Sequence, residues 1–306
     1  MKVSLIATVL NAGDRLEGFL ASVSRQTRPP DEVVVVDGGS TDRTLEALRE
    51  AAGITLLEEP GANVARRRNM AIAAATHDVI AVSDADRVLE PDWLGRLLEP
   101  LEAGADVSMS LHRIHAESFL QRCMACVSPP DADEVEEATP MPSGRSVAYT
   151  REAIERAGGY PEWLDIGEDA FVEHRFRELG LDVRLAKDAI VDRPPRDPLG
   201  ATWWRYFSHA RGDAIAGMYP ERHAVRLGAY SGALWAWSTR GTVRKLATIA
   251  GAASYASTPL RRVATRFEDP AERAKAMLTV PALIALVDAA KIAGYLAGLP
   301  RRRQPS

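Results

Sequence analysis

Apolar and polar positions change rhythm repeatedly along the first 190 residues, and that rhythm predicts alternating strands and helices. Residues 3–10 (VSLIATVL) are an unbroken apolar run of strand length. Residues 14–26 switch to helical spacing, with Leu16, Phe19, Leu20 and Val23 on one face, and Pro29-Pro30 end that unit. Residues 32–36 form a second continuous apolar strand, the kind buried on both faces of a parallel sheet. A helix over 41–52 opens with Ser40, Thr41 and Asp42 as capping chemistry. A strand over 54–57, a helix over 62–75 and a strand over 78–83 complete this half, which therefore reads as α/β with a mostly parallel sheet.

The pattern then loosens. A helix over 91–101, a strand over 106–111 and a helix over 117–127 precede a Pro- and acid-rich loop at 129–142. A strand over 144–150, short helices over 151–157 and 167–179, and a last strand over 182–186 follow. Beyond residue 200 strand signals vanish. Residues 202–217 read as a helix rich in Trp, Arg and Tyr, and the remainder is Ala-rich, basic and helical.

Charge divides the chain in the same place. Residues 222–306 carry 14 Lys/Arg and 4 Asp/Glu, net +10, which leaves −14 for residues 1–221 out of a total of −4. Such asymmetry suggests two functional zones, the second facing an anionic surface. The acidic first zone weighs against nucleic acid as a partner. Cys123 and Cys126 form a C-x-x-C inside a helical pattern with no further zinc ligands nearby, so they read as helix packing in a reducing compartment. The first apolar run meets Asn11, Asp14 and Arg15 before any small-residue cleavage site, so it reads as a strand rather than a secretory signal.

The chemistry concentrates where strands end. Asp84-Ala85-Asp86 follows the apolar strand 78–83, and ligands of open α/β sheets sit outside the carboxyl ends of strands. Two hard oxygen ligands there suit Mg²⁺ or Mn²⁺ carrying phosphates. VVVVDGGSTDRT delivers Asp37 to the same edge, followed by two glycines that permit a sharp turn. GANVARRRN places three arginines in succession on a helix; at about 3.6 residues per turn they cannot all face one ligand. Arg68, next to Asn69, is the one expected to face the sheet edge, the others a solvated face. IGED puts Glu168 and Asp169 at a helix start, where the macrodipole keeps a carboxylate ionised.

Together these ordered blocks resemble family 2 glycosyltransferases of GT-A fold over roughly residues 1–215. The matching stretches are VSLIATVLN, QTRPPDEVVVVDGGSTDRT, GANVARRRNMAIAAA, VIAVSDADRVLEPDWL and GEDAFVEHRFRELG. The resemblance implies a Rossmann-like, mostly parallel sheet flanked by helices. It implies a nucleotide-sugar-binding half over 1–110 and an acceptor half over 111–215; the charge and composition of the tail set off a separate basic helical region over 216–306. It further implies a nucleotide-diphosphate-sugar donor, with UDP the default base, a divalent metal and inverting transfer. On this chain, Thr8, Asn11, Asp37, Arg68 and Asp84 correspond to donor-binding positions, Asp86 with Asp84 to the metal motif, and Asp169 to the general base. Glu168, Trp204, Arg205 and Arg211 are the candidates for the acceptor and diphosphate. Thr8-Val9-Leu10-Asn11 replaces the Pro-Thr-Tyr-Asn-like turn of many relatives. Asp192 or His209 is the candidate in place of the histidine that many relatives carry after the last strand.

The chemistry implied is economical in residues. A sugar diphosphate leaves once its charge is neutralised, so one base for the acceptor hydroxyl suffices. A glycosidase would need two flanking carboxylates, and Glu168 and Asp169, adjacent at a helix start, point different ways. A catalytically silent nucleotide-sugar-binding subunit and a sugar nucleotidyltransferase are the competing readings. For the tail, interleaved basic and apolar residues ending in Arg301-Arg302-Arg303 predict a peripheral position on the cytoplasmic face of the plasma membrane and a lipid-linked or polysaccharide acceptor. A soluble helical subdomain or a homodimer interface is the other reading.

Overall fold

The computed structural model describes residues 1–114, 116–128, 146–193 and 199–303; the loop 129–142 lies outside them. In chain order the first elements are β1 (Val3–Val9), α1 (Arg15–Ser24), β2 (Glu32–Asp37), α2 (Thr44–Glu50), β3 (Thr55–Glu58), α3 (Val64–Ala74), β4 (Val79–Asp84) and β5 (Val88–Leu89). Next come α4 (Trp93–Glu102), β6 (Val107–Ile114), α5 (Phe119–Val127), β7 (Ser146–Thr150), α6 (Arg151–Arg156), α7 (Glu168–Glu178) and β8 (Val183–Arg193). The chain continues with α8 (Leu199–Ala216), α9 (Pro220–Ser238), α10 (Thr242–Arg266) and α11 (Pro270–Gly298). They form two compact units: Met1–His115 with Pro130–Pro194, and Ala116–Pro129 with Pro195–Ser306.

The first unit is a sheet of order β3-β2-β1-β4-β7-β6-β8-β5 with helices on both faces. The β3-β2-β1-β4 half is parallel, as the sequence predicts, but β7 runs antiparallel to β4 and β6, and β5 to β8. The sheet as a whole is therefore mixed. The unbroken apolar strands are explained by burial on both sides. Val3, Leu5, Ala7 and Val9 of β1 join one core with Val35, Ala81 and the α4 residues Trp93, Leu94 and Leu97. Ile6, Val34, Val36, Ile80 and Val82 point the other way and pack with α3, α6 and α7. Alternate residues thus feed two separate cores.

The second unit is helical. Cys123 and Cys126 of α5 form no disulfide and are fully buried with Val263, Phe267, Val280 and Leu283, so the C-x-x-C is packing, as expected. Burial pushes the Cys123 thiol up to about 11, with its neighbour Cys126 adding to the effect. α8 lies tightly on α11: a Cβ at Gly294 would overlap the Phe207 carbonyl, and one at Gly298 the Arg211 carbonyl. The grouping therefore differs from a cut at 215/216. α5 and α8 pack with the C-terminal helices because their apolar faces are completed by α10 and α11. By length and composition residues Pro270–Arg301 could cross a membrane, but Ala276, Val280, Leu283 and Val287 are buried in this unit's own core.

Candidate active site

Three parallel strands end at one edge of the first unit. In register, Val9 of β1 lies opposite Asp37 of β2, and Thr8 opposite Asp84 of β4. The chain leaves β1 for β2 and β3, then returns to β4 on the other side of β1. That reversal opens a crevice at the carboxyl edge, the usual ligand position of such sheets. A cavity of about 180 Å³ occupies it, lined among others by Thr8, Arg15, Arg67, Arg68, Asp84, Asp86 and Glu168. Its size is below the roughly 300–1,000 Å³ of sites that enclose a whole small ligand.

The helix α3 aims two guanidinium groups at this edge. Asn63 caps its N-terminus by accepting a hydrogen bond from Arg66 N at 2.9 Å, which sets the first turn beside the strand ends. Arg66 points outward to Glu59 and Glu162. Arg68 is buried and bridges Asp84 Oδ1 (3.2 Å) and Glu168 Oε1 (2.9 Å). Burial opposes its charge, but the Tyr160 ring, 5.1 Å away, and the carboxylates of Asp84, Glu168 and Asp169 outweigh that, and its pKa is raised. Arg67 corrects the expectation of a solvated face. It too is buried, donates from Nη1 to the Val9 carbonyl at 2.7 Å, and is pulled below its ordinary pKa by desolvation. Gly38 makes room for it, because a Cβ there would collide with the Arg67 guanidinium.

Around Asp84 and Asp86 the charges interlock. Arg87, also buried, lies 3.7 Å from Asp84 Oδ2 and 3.1 Å from Asp86 Oδ1, while Arg15 reaches Asp86 Oδ2 at 3.5 Å. Sequence reasoning missed Arg15 and Arg87. Arg87 had a signal in its position directly after the two carboxylates.

Asp37 is fully buried, and its oxygens are held by its own turn. Oδ2 accepts from Gly39 N (2.8 Å) and Ser40 N (2.9 Å), and Oδ1 from the Ser40 hydroxyl. Asn11, in a left-handed conformation (φ 51°), ties the end of β1 to this turn. Its N–H donates to Ser40 Oγ, and its Oδ1 accepts from Thr41 N. Asp37 and Asn11 thus hold together the turn after β2, beside the crevice, and neither lines the cavity.

Glu168 and Asp169 open α7 after Gly167, whose φ of 93° needs a glycine. They diverge as expected. Glu168 turns inward to Arg68, whereas Asp169 is half-buried, with Oδ1 accepting from Ala170 N at 2.8 Å. One turn on, burial raises the pKa of Glu173 against the pull of Arg177, and the charge of Asp169 adds to the rise.

Among the described residues no three His, Cys, Asp or Glu side chains group as a metal site. The donor chemistry nevertheless suits a divalent ion held partly by a ligand. Asp84 and Asp86 line one cavity, and Asp86 Oδ1, though 3.1 Å from Arg87 Nε, receives no well-aligned hydrogen bond. The Asp192 side chain lies outside the described residues; its backbone pairs with Val88. His209 stands on α8 in the second unit with Trp204, Arg205 and Arg211. There Trp204 is exposed and meets Phe207 edge-on, and Arg205 lies 4.6 Å over the Tyr206 ring.

Comparison with known proteins agrees with this architecture. Rhamnosyltransferase RfbN of Salmonella typhimurium strain LT2, described as an O-antigen chain rhamnosyltransferase, is 27% identical over 222 residues, 68% of this chain and 71% of that protein. The succinoglycan biosynthesis protein ExoA of Rhizobium meliloti strain 1021 is 25% identical over 69% of this chain and 68% of its own. Among solved structures, the mannosyltransferase PcManGT of Pyrobaculum calidifontis, in complex with GDP-Man and Mn²⁺, superposes with a TM-score of 0.60. It is 23% identical over 97% of this chain and 87% of its own. TarS 1-349 of S. aureus in complex with UDP-GlcNAc gives a TM-score of 0.54 at 17% identity, covering 98% of this chain and 91% of its own. These neighbours share the GT-A fold. The model of Glycosyl transferase family 2 matches residues 4–154, the stretch that holds Asp37, Arg68, Asp84 and Asp86, and the chain is a glycosyltransferase belonging to that family.

Proposed function

We propose that this enzyme transfers a sugar, with inversion, from a nucleotide-diphosphate-sugar to a hydroxyl of a lipid-linked or growing polysaccharide acceptor at a membrane. The observation that carries the reading is the cavity at the carboxyl edge, where Asp84, Asp86 and Glu168 meet Arg15, Arg67 and Arg68. The space suits the phosphate end of a donor, not the whole donor. Asp86 and Asp84 would hold Mg²⁺ or Mn²⁺, which supplies charge neutralisation of the leaving diphosphate. Arg15 and Arg87 restrain Asp86, and Arg68 restrains Asp84, so both carboxylates are oriented before a donor arrives. Asp169, at a helix N-terminus and less buried than Glu168, accepts the proton of the attacking hydroxyl.

Support for the donor class comes from the neighbours in complex with GDP-Man and UDP-GlcNAc, and for the acceptor class from the O-antigen and succinoglycan relatives. UDP is the base to screen first. The basic helices after residue 222 would hold the enzyme on the cytoplasmic face of the membrane. The test is Asp169→Asn in a transfer assay with a panel of nucleotide sugars. Turnover should fall by about 10²–10⁴, the usual scale for a lost general base, with donor affinity kept. Undiminished turnover in that variant would remove Asp169 from the reaction.

A further inference from the structure

The second unit leaves large apolar side chains in solvent at the turn between α9 and α10. Leu234 and Val243 are 75% and 80% exposed, and Trp235, Trp237, Leu246 and Ile249 are each more than half exposed. Cations stand directly on this patch. The Arg244 guanidinium lies 4.7 Å over the Trp235 ring, and the Lys245 ammonium 5.4 Å over Trp237. Residues 220–266 hold eight Lys/Arg and a single acid, Glu221. Indole and aliphatic groups interleaved with snorkelling cations are the composition of a bilayer interface.

Behind the tip a groove of about 890 Å³ separates the two helices. Val225, Ala229 and Ala233 line it from α9, and Ala247, Gly251 and Ala252 from α10. The volume lies within the range of sites that enclose a small ligand, and the small side chains keep it open. Its charged floor is already satisfied. Asp288 of α11, 1% exposed, accepts from Arg226 Nε (2.8 Å), the Tyr230 hydroxyl (3.0 Å) and the Tyr255 hydroxyl (3.2 Å). The groove therefore asks for an apolar occupant, and the charge around it for an anionic one. A second copy of the same hairpin fails the second condition, because two such surfaces repel.

We infer that the α9–α10 hairpin is a lipid-binding wedge: its tip enters the interface of an anionic bilayer, and the groove behind it takes a hydrocarbon chain of a lipid from that bilayer. This deepens the membrane location proposed above and rests on it, but not on the glycosyl-transfer reading, so donor binding and lipid binding fail independently.

The full-length chain is sedimented with phosphatidylcholine vesicles with and without phosphatidylglycerol. It is then irradiated with phosphatidylglycerol carrying a diazirine on its acyl chain. Sedimentation should require the anionic lipid, weaken with salt, and drop at least about tenfold in Trp235→Ser/Trp237→Ser. Cross-links should map to 225–233 and 247–255. Filling the groove with Gly232→Leu/Gly251→Leu, where an added Cβ meets nothing, should abolish those cross-links and leave sedimentation within about twofold. Cross-links confined to 234–246 would mean docking by the tip alone and overturn the groove. Failure to sediment with anionic vesicles, or equal binding to pure phosphatidylcholine, would overturn the wedge altogether.

Discussion

Arg68 Nη2 lies 3.2 Å from Asp84 Oδ1, so the first carboxylate of Asp84-Ala85-Asp86 is tied to a guanidinium buried beneath the strand edge. The same guanidinium holds Glu168 on α7. One side chain thus fixes β4, α3 and α7 relative to one another within the first unit. Removing one partner of a buried ion network leaves uncompensated charge and costs about 3–5 kcal/mol. Arg68→Met should therefore destabilise the chain on that scale in urea unfolding, and Arg68→Met/Glu168→Gln should recover part of the loss. A cost below about 1 kcal/mol would show that the triad is solvated rather than buried.

Gly38 is required by packing. Gly38→Ala should push the Arg67 guanidinium off the Val9 carbonyl, leaving a buried acceptor unpaired at a cost of about 1–3 kcal/mol. Gly228→Ala, on an exposed helix with nothing near its Cβ, is the control and should be neutral or slightly stabilising. Equal effects of the two would contradict the account of the crevice wall.

Lys291 gives the second unit a distinct pH dependence. Burial first, then Arg226 and Arg222, lower its pKa to about 8. The unfolded chain therefore binds the more protons between pH 8 and the ordinary lysine value, and stability contributed by this site rises with pH across that window. Lys291→Met should be more stable than the wild type at pH 7, by at most a few kcal/mol. The gap should narrow as pH climbs from 8 to 10. Thermal unfolding of both proteins across this range checks the sign; a gap that widens would contradict it.

Much of the site was legible because strand ends and their carboxylates are written locally. Buried apolar runs before Asp37 and Asp84 placed both at one edge, and Gly167 with Glu168-Asp169 marked a helix start. Arg67 was not legible. Helical geometry separates Arg67 from Arg68 by about 100°, yet both are buried, because Gly38, far away in sequence, opens space for the Arg67 guanidinium. β5 escaped notice because two residues show no periodicity and owe their strand to pairing with β8. The packing of α5 with α10 and α11 depends on contacts across 150 positions, such as Arg122 to Glu272 at 2.8 Å, which no local pattern encodes.

The central claim is that Asp84 and Asp86 bind a metal-bridged diphosphate, and calorimetric titration of nucleotide sugars tests it most directly. The wild type should bind a UDP- or GDP-sugar only with Mn²⁺ or Mg²⁺ present, and Asp84→Ala/Asp86→Ala, shown to be folded by circular dichroism, should lose that metal-dependent affinity. Donor affinity that is the same with and without metal, and unchanged in the double variant, would contradict the account.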